Sequence, residues 1–316
     1  MKIALLDDYQ GVALICADWK GILPGADITV FRDHLADEDA LARRLEGFEV
    51  IGIMRERTPF PATLLRRLPK LKLLVTTGHR NDSVNVKAAK AQGITVCGTP
   101  SSAHAAAELT WALVMAAARR IDLETRSFHD GGWQVGLGRD LKGATLGVIG
   151  LGRLGSLVAG YGKAFGMKVI AWSQNLTAEK AAAGGATLVS KEALFRDADF
   201  IAVHLKLSER SRGLVGAKEL SLMKPDAWIV NTSRGPILDE AALLAALREG
   251  RIGGAALDVF DDEPLPKDHP LRRLDNVVAT PHVGYVSREN YATFYRETAE
   301  NIAAFLAGAP RNVIEP

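Results

Sequence analysis

The sequence predicts an α/β protein with two open, doubly wound parallel sheets. Three observations predict it. Short apolar runs rich in Val, Ile and Leu alternate with helix-period segments from end to end, as strands buried on both faces do. The 316 residues suggest two domains at ~150 residues each. A glycine-rich turn near mid-chain follows one such run and opens a helix.

The elements follow in order. The first block has apolar runs at 3–6, 28–31, 50–54, 71–76 and 94–96, with helical segments such as 38–46, 61–67 and 86–92 between them. This βαβα order covers a parallel sheet on both faces. A long helical pattern runs from about 102 to 129, and Ser101 or Ser102 can cap its start. The second block has strand patterns at 145–149, 168–172, 200–205, 228–231, 255–259 and 277–279, then a final helix at about 287–306. Long helices join the two units, and no repeat of fixed period relates them. If the terminal helix returns to the first unit, the second is an insertion.

Composition narrows the function classes. Hydrophobic residues make up 47% and charged residues 24%, enough for a large core with no disulfide or metal staple. The balance of 39 basic to 37 acidic residues, net +2, has no long run of one sign, which argues against nucleic-acid binding as the main activity. Cys16 and Cys97 are far apart and form no CxxC, a pattern for a reducing compartment and against a zinc ribbon. The apolar start at residues 3–6 is too short for a signal peptide. The most apolar window, 105–118, contains Glu108 and is shorter than the ~20 residues a membrane crossing requires. A soluble cytoplasmic protein with no membrane or nucleic-acid partner is expected.

The most informative stretch is Gly150-Leu151-Gly152-Arg153-Leu154-Gly155. GxGxxG alone is a weak signal, but here it lies between a strand and a helix, with a further strand after it. Gly150 permits the tight turn, Gly152 lets the backbone approach a pyrophosphate, and Gly155 lets helix and strand pack closely. Free N–H groups at the helix start then face the anion. The next strand ends in Ser173-Gln174-Asn175, where an NAD site usually places Asp or Glu on the ribose hydroxyls. A carboxylate would repel a 2′-phosphate and these residues would not, yet no Arg stands nearby to attract one. The choice between NAD and NADP stays open at this point.

Three polar residues follow strand patterns in the second half. Arg234 lies at a carboxyl sheet edge, where a guanidinium can grip a carboxylate through two parallel hydrogen bonds. A surface salt bridge is the commoner use of such a residue. Glu263 closes Asp261-Asp262-Glu263, which a solvated acidic loop would also explain. His282 can donate and recover a proton near neutral pH, although a lone histidine is more often structural. The other six histidines show no metal-ligand spacing, and no metal is expected.

Taken together, these motifs resemble the D-isomer-specific 2-hydroxyacid dehydrogenase family. The four carriers are Gly150 to Gly155; Asn231-Thr232-Ser233-Arg234-Gly235; Asp258-Val259-Phe260 with Glu263-Pro264; and Thr280-Pro281-His282. The match runs through nearly the whole chain and is strongest from about 143 to 284.

The resemblance implies a flavodoxin-like substrate domain (1–98 plus 286–316) and a Rossmann cofactor domain (99–285), with an interdomain cleft. It implies a homodimer, and hydride transfer between a nicotinamide, NAD by family preference, and a 2-oxo acid. Arg234 would hold the substrate carboxylate, His282 would be the acid–base, and Glu263 would orient His282. Asp258 would contact the nicotinamide carboxamide. Arg153, Leu154, Ser173, Gln174, His204, Leu205, Thr232, Ser233 and Gly284 would line the cofactor beside the three glycines. The N–H groups of Gly78 and His79 would bind the substrate carboxylate. Arg80 departs from the family's usual glycine and would reshape the pocket, reach an acidic substrate tail, or point into solvent.

Relatives on this fold also act as NAD(H)-sensing corepressors, which makes an interaction protein the alternative to an enzyme. The chain stops at Pro316, before the long regulatory extension of many phosphoglycerate dehydrogenases, which suggests a stand-alone reductase.

Overall fold

The structure, a computed structural model, describes residues 1–316. The chain divides into two compact units, Met1–Ser102 with Val286–Pro316, and Ala103–Tyr285.

The first unit alternates β1 (Lys2–Leu5), α1 (Trp19–Ile22), β2 (Asp27–Val30), α2 (Glu38–Leu45), β3 (Val50–Ile53), α3 (Ala62–Leu65), β4 (Leu73–Thr76), α4 (Val86–Ala91) and β5 (Thr95–Cys97). The second contains α5 (Ala103–Arg119), α6 (Ile121–His129), β6 (Thr145–Ile149), α7 (Arg153–Ala164), β7 (Lys168–Trp172), α8 (Ala178–Ala183) and β8 (Thr187–Leu188). It continues through α9 (Lys191–Asp197), β9 (Phe200–Val203), α10 (Ala217–Leu222), β10 (Trp228–Asn231), α11 (Glu240–Arg248), β11 (Gly254–Leu257) and β12 (Val277–Ala279). The last helix, α12 (Arg288–Leu306), belongs to the first unit.

All five strands of the first sheet run parallel in the order β2-β1-β3-β4-β5, the flavodoxin-like arrangement. Every residue of β3 and β4 is buried, so these strands carry unbroken apolar runs rather than alternation. Helix α12 starts at Ser287, whose side chain accepts the Asn290 N–H, and it buries Tyr291, Phe294, Tyr295 and Ile302. Full burial of each such side chain contributes roughly 1.5–3 kcal/mol.

The second sheet has seven parallel strands in the order β12-β11-β10-β9-β6-β7-β8. One core layer gathers Leu194, Phe195, Ile201, Ile229 and Leu243 on one face. The other gathers Leu113, Val114, Leu146, Val158 and Phe200 beneath α5 and α7. The strand order turns around β6, whose neighbours are β7 on one side and β9 on the other, and ligands of open α/β sheets bind at such a reversal.

The single long helix expected over 102–129 is two helices. Arg120 takes a left-handed conformation (φ 53°) and ends α5 at Arg119. The strand expected over 200–205 ends at Val203, and the His204 N–H makes the last bond of the β6–β9 ladder, to the Ile149 carbonyl at 2.8 Å.

Candidate active site

The glycine-rich turn is built at the carboxyl end of β6. Gly150 has φ 93°, a conformation that favours glycine, and its N–H donates to the Trp172 carbonyl at 2.9 Å. A Cβ at Gly155 would stand 2.2 Å from the Gly150 carbonyl oxygen, so only glycine lets α7 pack this close to the turn. A Cβ at Gly152 would meet nothing within 4 Å. Gly152 caps α7, and the N–H groups of Arg153, Leu154 and Gly155 in its first turn have no intrahelical acceptor. They form a row of donors without helical acceptors at the positive end of the helix dipole.

His204 follows β9 on the other side of β6. Its Nε2 is shut off from solvent and has no partner, and burial pushes the imidazole down to about 4, so the ring is neutral at pH 7. An open space above Gly152, free amides and an orphaned ring nitrogen beside the turn all fit a dinucleotide. Leu205 is half-buried against the apolar layer that includes Ile201 and Ile229. Ser173 is half-buried and Gln174 exposed at the end of β7.

The loop after β10 is held by Asn231, whose Nδ2 donates to the Arg234 carbonyl (2.9 Å) and whose Oδ1 accepts the Ser233 N–H (3.0 Å). The Ser233 hydroxyl donates to the Val203 carbonyl at 2.7 Å, and the Thr232 hydroxyl meets that of Thr110 on α5 at 2.7 Å. Both hydroxyls thereby fix the loop. Arg234 is half-buried, its Nη1 donating to the Ser233 carbonyl at 2.7 Å. A Cβ at Gly235 would stand 2.1 Å from the Phe260 carbonyl carbon, so that glycine lets two adjacent loops touch.

Asp258 follows β11 and is 1% exposed. Its Oδ1 accepts the Thr280 hydroxyl (2.6 Å) and the Val283 N–H (2.8 Å), and its Oδ2 accepts the Gly284 N–H (2.8 Å). Burial raises its carboxyl above the usual range, against these hydrogen bonds and the nearby His282. Asp258 is thus a brace for the loop that carries His282.

His282 has φ 52°, in the left-handed region, which a non-glycine residue holds only when its surroundings over-determine it. Its Nδ1 lies 2.5 Å from Glu263 Oε2, and Glu263 Oε1 accepts the Phe260 N–H at 2.9 Å. Tyr285 packs edge-on to the imidazole at 5.6 Å between ring centroids. Glu263 and His282 are therefore paired directly, while Arg234 stands at the same sheet edge, since β10, β11 and β12 are neighbours.

In the first unit, Gly78, His79 and Arg80 follow β4. Gly78 has φ 93°, and its N–H donates to Thr99 Oγ1 at 2.9 Å, so the expected use of that amide for a ligand carboxylate is met by Thr99 instead. His79 and Arg80 are exposed, and their backbone N–H groups have no partner within the chain. The Arg55 guanidinium lies against the Gly78 Cα, where an added Cβ would come within 1.8 Å of Nη1. Asn81 pins the loop through Nδ2 to the Arg55 carbonyl (2.6 Å) and Thr76 Oγ1 (2.9 Å). Sequence reasoning missed Thr99 and Arg55, and gave Asn231 and Thr280 no bracing role. Asn231 and Thr280 open two of the motifs, and Thr99 and Arg55 become neighbours of the 78–81 loop only through folding.

No group of His, Cys, Asp or Glu side chains could hold a metal ion, and no helix is long and apolar enough to cross a membrane.

Residues 111–284 match the model of the D-isomer specific 2-hydroxyacid dehydrogenase family, NAD binding domain. A glyoxylate reductase of Aeropyrum pernix is 40% identical over 288 residues, covering 88% of this chain and 85% of that protein. The crystal structure of a phosphoglycerate oxidoreductase from Vibrio cholerae superposes with a TM-score of 0.93 at 39% identity, covering 98% of this chain and 100% of that one. A D-lactate dehydrogenase from Aquifex aeolicus, crystallised with NAD and lactic acid, gives 0.77 at 27% identity over 97% and 96%. The chain belongs to the D-isomer specific 2-hydroxyacid dehydrogenase family, as an oxidoreductase that uses NAD.

Proposed function

We propose that this protein reduces small 2-oxo acids to D-2-hydroxy acids, with glyoxylate and hydroxypyruvate the first substrates to test. The observation that carries this reading is the Glu263 Oε2–His282 Nδ1 contact of 2.5 Å. With Nδ1 engaged, Nε2 is the ring nitrogen left for substrate. Protonated His282 donates that proton to the carbonyl oxygen while Glu263 keeps the ring in orientation. Arg234 grips the substrate carboxylate and polarises the carbonyl. NADH, when bound, supplies the hydride that forms the new C–H bond. The first-turn amides of α7 would hold its pyrophosphate, and the loops braced by Asn231 and by Asp258 would hold the nicotinamide end.

The cofactor domain in this reading is 99–285, and residues 1–98 with 286–316 bind substrate. There the free amides of His79 and Arg80 take the substrate carboxylate. Two chains pair through the segment after α5, where Phe128, Trp133, Val135 and Leu137 are 65%, 74%, 56% and 95% exposed. Apolar side chains clustered on a surface mark association sites. The two unpaired cysteines suit the reducing cytoplasm. The test is NADH oxidation on a panel of 2-oxo acids. Turnover on glyoxylate, hydroxypyruvate or a bulkier 2-oxo acid supports the reading, and no turnover on any of them refutes it.

A further inference from the structure

The cofactor turn carries no acid where an NAD-selective turn places one. Strands β6 and β7 are parallel neighbours in the register Ile149 opposite Trp172, and the Gly150 N–H donates to the Trp172 carbonyl. The glycine turn and the segment after Trp172 therefore stand side by side at one sheet edge. That segment is a turn closed by the Leu176 N–H on the Ser173 carbonyl at 3.1 Å. The side chains of Ser173, Gln174 and Asn175 are neutral and make no hydrogen bond within the chain, and those of Gln174 and Asn175 are exposed.

Arg153, the first residue of α7 and next to Gly152 in the glycine turn, is exposed and without an ion-pair partner. The nearest downstream acid, Glu179, lies in the first turn of α8 beyond the Thr177 cap, and Lys180 follows it at once. The edge is thus neutral to cationic.

We propose that this turn accepts a 2′-phosphate about as readily as a free 2′-hydroxyl, so that the protein binds NADPH and NADH with dissociation constants within about tenfold of each other. The inference rests on the reading of the Gly150–Gly155 turn as the dinucleotide site. A carboxylate after β7 favours NADH twice, by accepting both ribose hydroxyls and by repelling the phosphate. Ser173, Gln174 and Asn175 do neither, and each can donate a hydrogen bond to a phosphate oxygen. The unpaired Arg153 guanidinium adds a charge-assisted donor within the same pair of turns. Loss of the acid weakens the hold on NADH and removes the barrier to NADPH, and the two effects bring the affinities together.

The experiment is calorimetric titration of the full chain with NADH and with NADPH, without substrate, for the parent, Ser173→Asp and Arg153→Ala. Both nucleotides are expected to bind within about tenfold in the parent, and Ser173→Asp is expected to shift the NADPH-to-NADH ratio at least tenfold toward NADH. Arg153→Ala is expected to weaken NADPH more than NADH. A parent that binds NADH but holds NADPH more than tenfold more weakly overturns this proposal and leaves the site intact. A Ser173→Asp protein whose ratio does not move overturns the electrostatic argument. A parent that binds neither nucleotide overturns the underlying reading as well.

Discussion

Glu263 ties two loops together, its Oε2 at 2.5 Å from His282 Nδ1 and its Oε1 at 2.9 Å from the Phe260 nitrogen. The carboxylate that orients the imidazole is itself fixed to the backbone. The Val283 and Gly284 N–H groups next to the ring are in turn fixed on Asp258. A left-handed histidine is held by bonds on both sides of it.

Glu263→Gln separates orientation from packing. The amide oxygen can keep the Phe260 contact, but the side chain no longer offers His282 a charged acceptor. We expect kcat to fall about 10²-fold with KM within a few-fold, because the lost interaction matters in the proton-transfer step. The pH–rate profile should move with it. A parallel loss of kcat and thermal stability, with no change in the profile, would mean that Glu263 only supports the loop.

The two glycines at the α7 start should fail in different ways. Gly155→Ala puts a Cβ 2.2 Å from the Gly150 carbonyl oxygen, so the helix must shift, and unfolding stability should fall by about 1–3 kcal/mol. Gly152→Ala meets no protein atom within 4 Å, so stability should change by no more than about 0.5 kcal/mol. Its methyl group would stand where the pyrophosphate approaches, and NADH should bind at least about tenfold more weakly. Denaturant unfolding and NADH titration on both variants check this, and unimpaired NADH binding by Gly152→Ala would contradict it.

Asp199 gives the fold an acid-sensitive anchor. Burial works to raise its carboxyl, but the Thr145 N–H, the Lys224 ammonium and the Arg139 guanidinium outweigh that and hold it below the usual range. Because the folded pKa is the lower one, the stabilisation is complete above the unfolded value of about 3.9 and is lost as pH falls through the folded value. Asp199→Asn should therefore be about 1–3 kcal/mol less stable at pH 7 and show a flatter loss of stability below about pH 4. Urea titrations at several pH values test it, and parallel acid limbs would assign the effect elsewhere.

The strands are legible in sequence because burial on both faces writes them as unbroken apolar runs, and β10 and β12 keep their expected bounds, 228–231 and 277–279. Strand β8 is not legible, since its two residues are too short for any periodicity. The break at Arg120 is hidden because Ala117-Ala118-Arg119-Arg120 contains neither Gly nor Pro to punctuate the helix. Glu263 and His282 are legible through the order of the motifs. The Asp258 brace depends on a partner 26 residues away, and the Thr99 capture of the Gly78 amide on one 21 residues away. Such pairings are set by sheet order, which local patterns do not encode.

The apolar segment after α5 should govern assembly. Leu137 is 95% exposed and Phe128 65%, so Phe128→Glu with Leu137→Glu adds charge to this apolar surface with little effect on the fold of one chain. We expect sedimentation to report a dimer for the parent and a shift toward monomer for the double variant. A parent that sediments as a monomer would remove this role for the segment.

The most direct measurement is single-turnover NADH oxidation by His282→Ala on the best 2-oxo acid of the panel, paired with NADH titration. The account predicts a chemical step slower by about 10²–10⁴-fold, with the NADH dissociation constant within a few-fold of the parent. A variant that oxidises NADH as fast as the parent would contradict it.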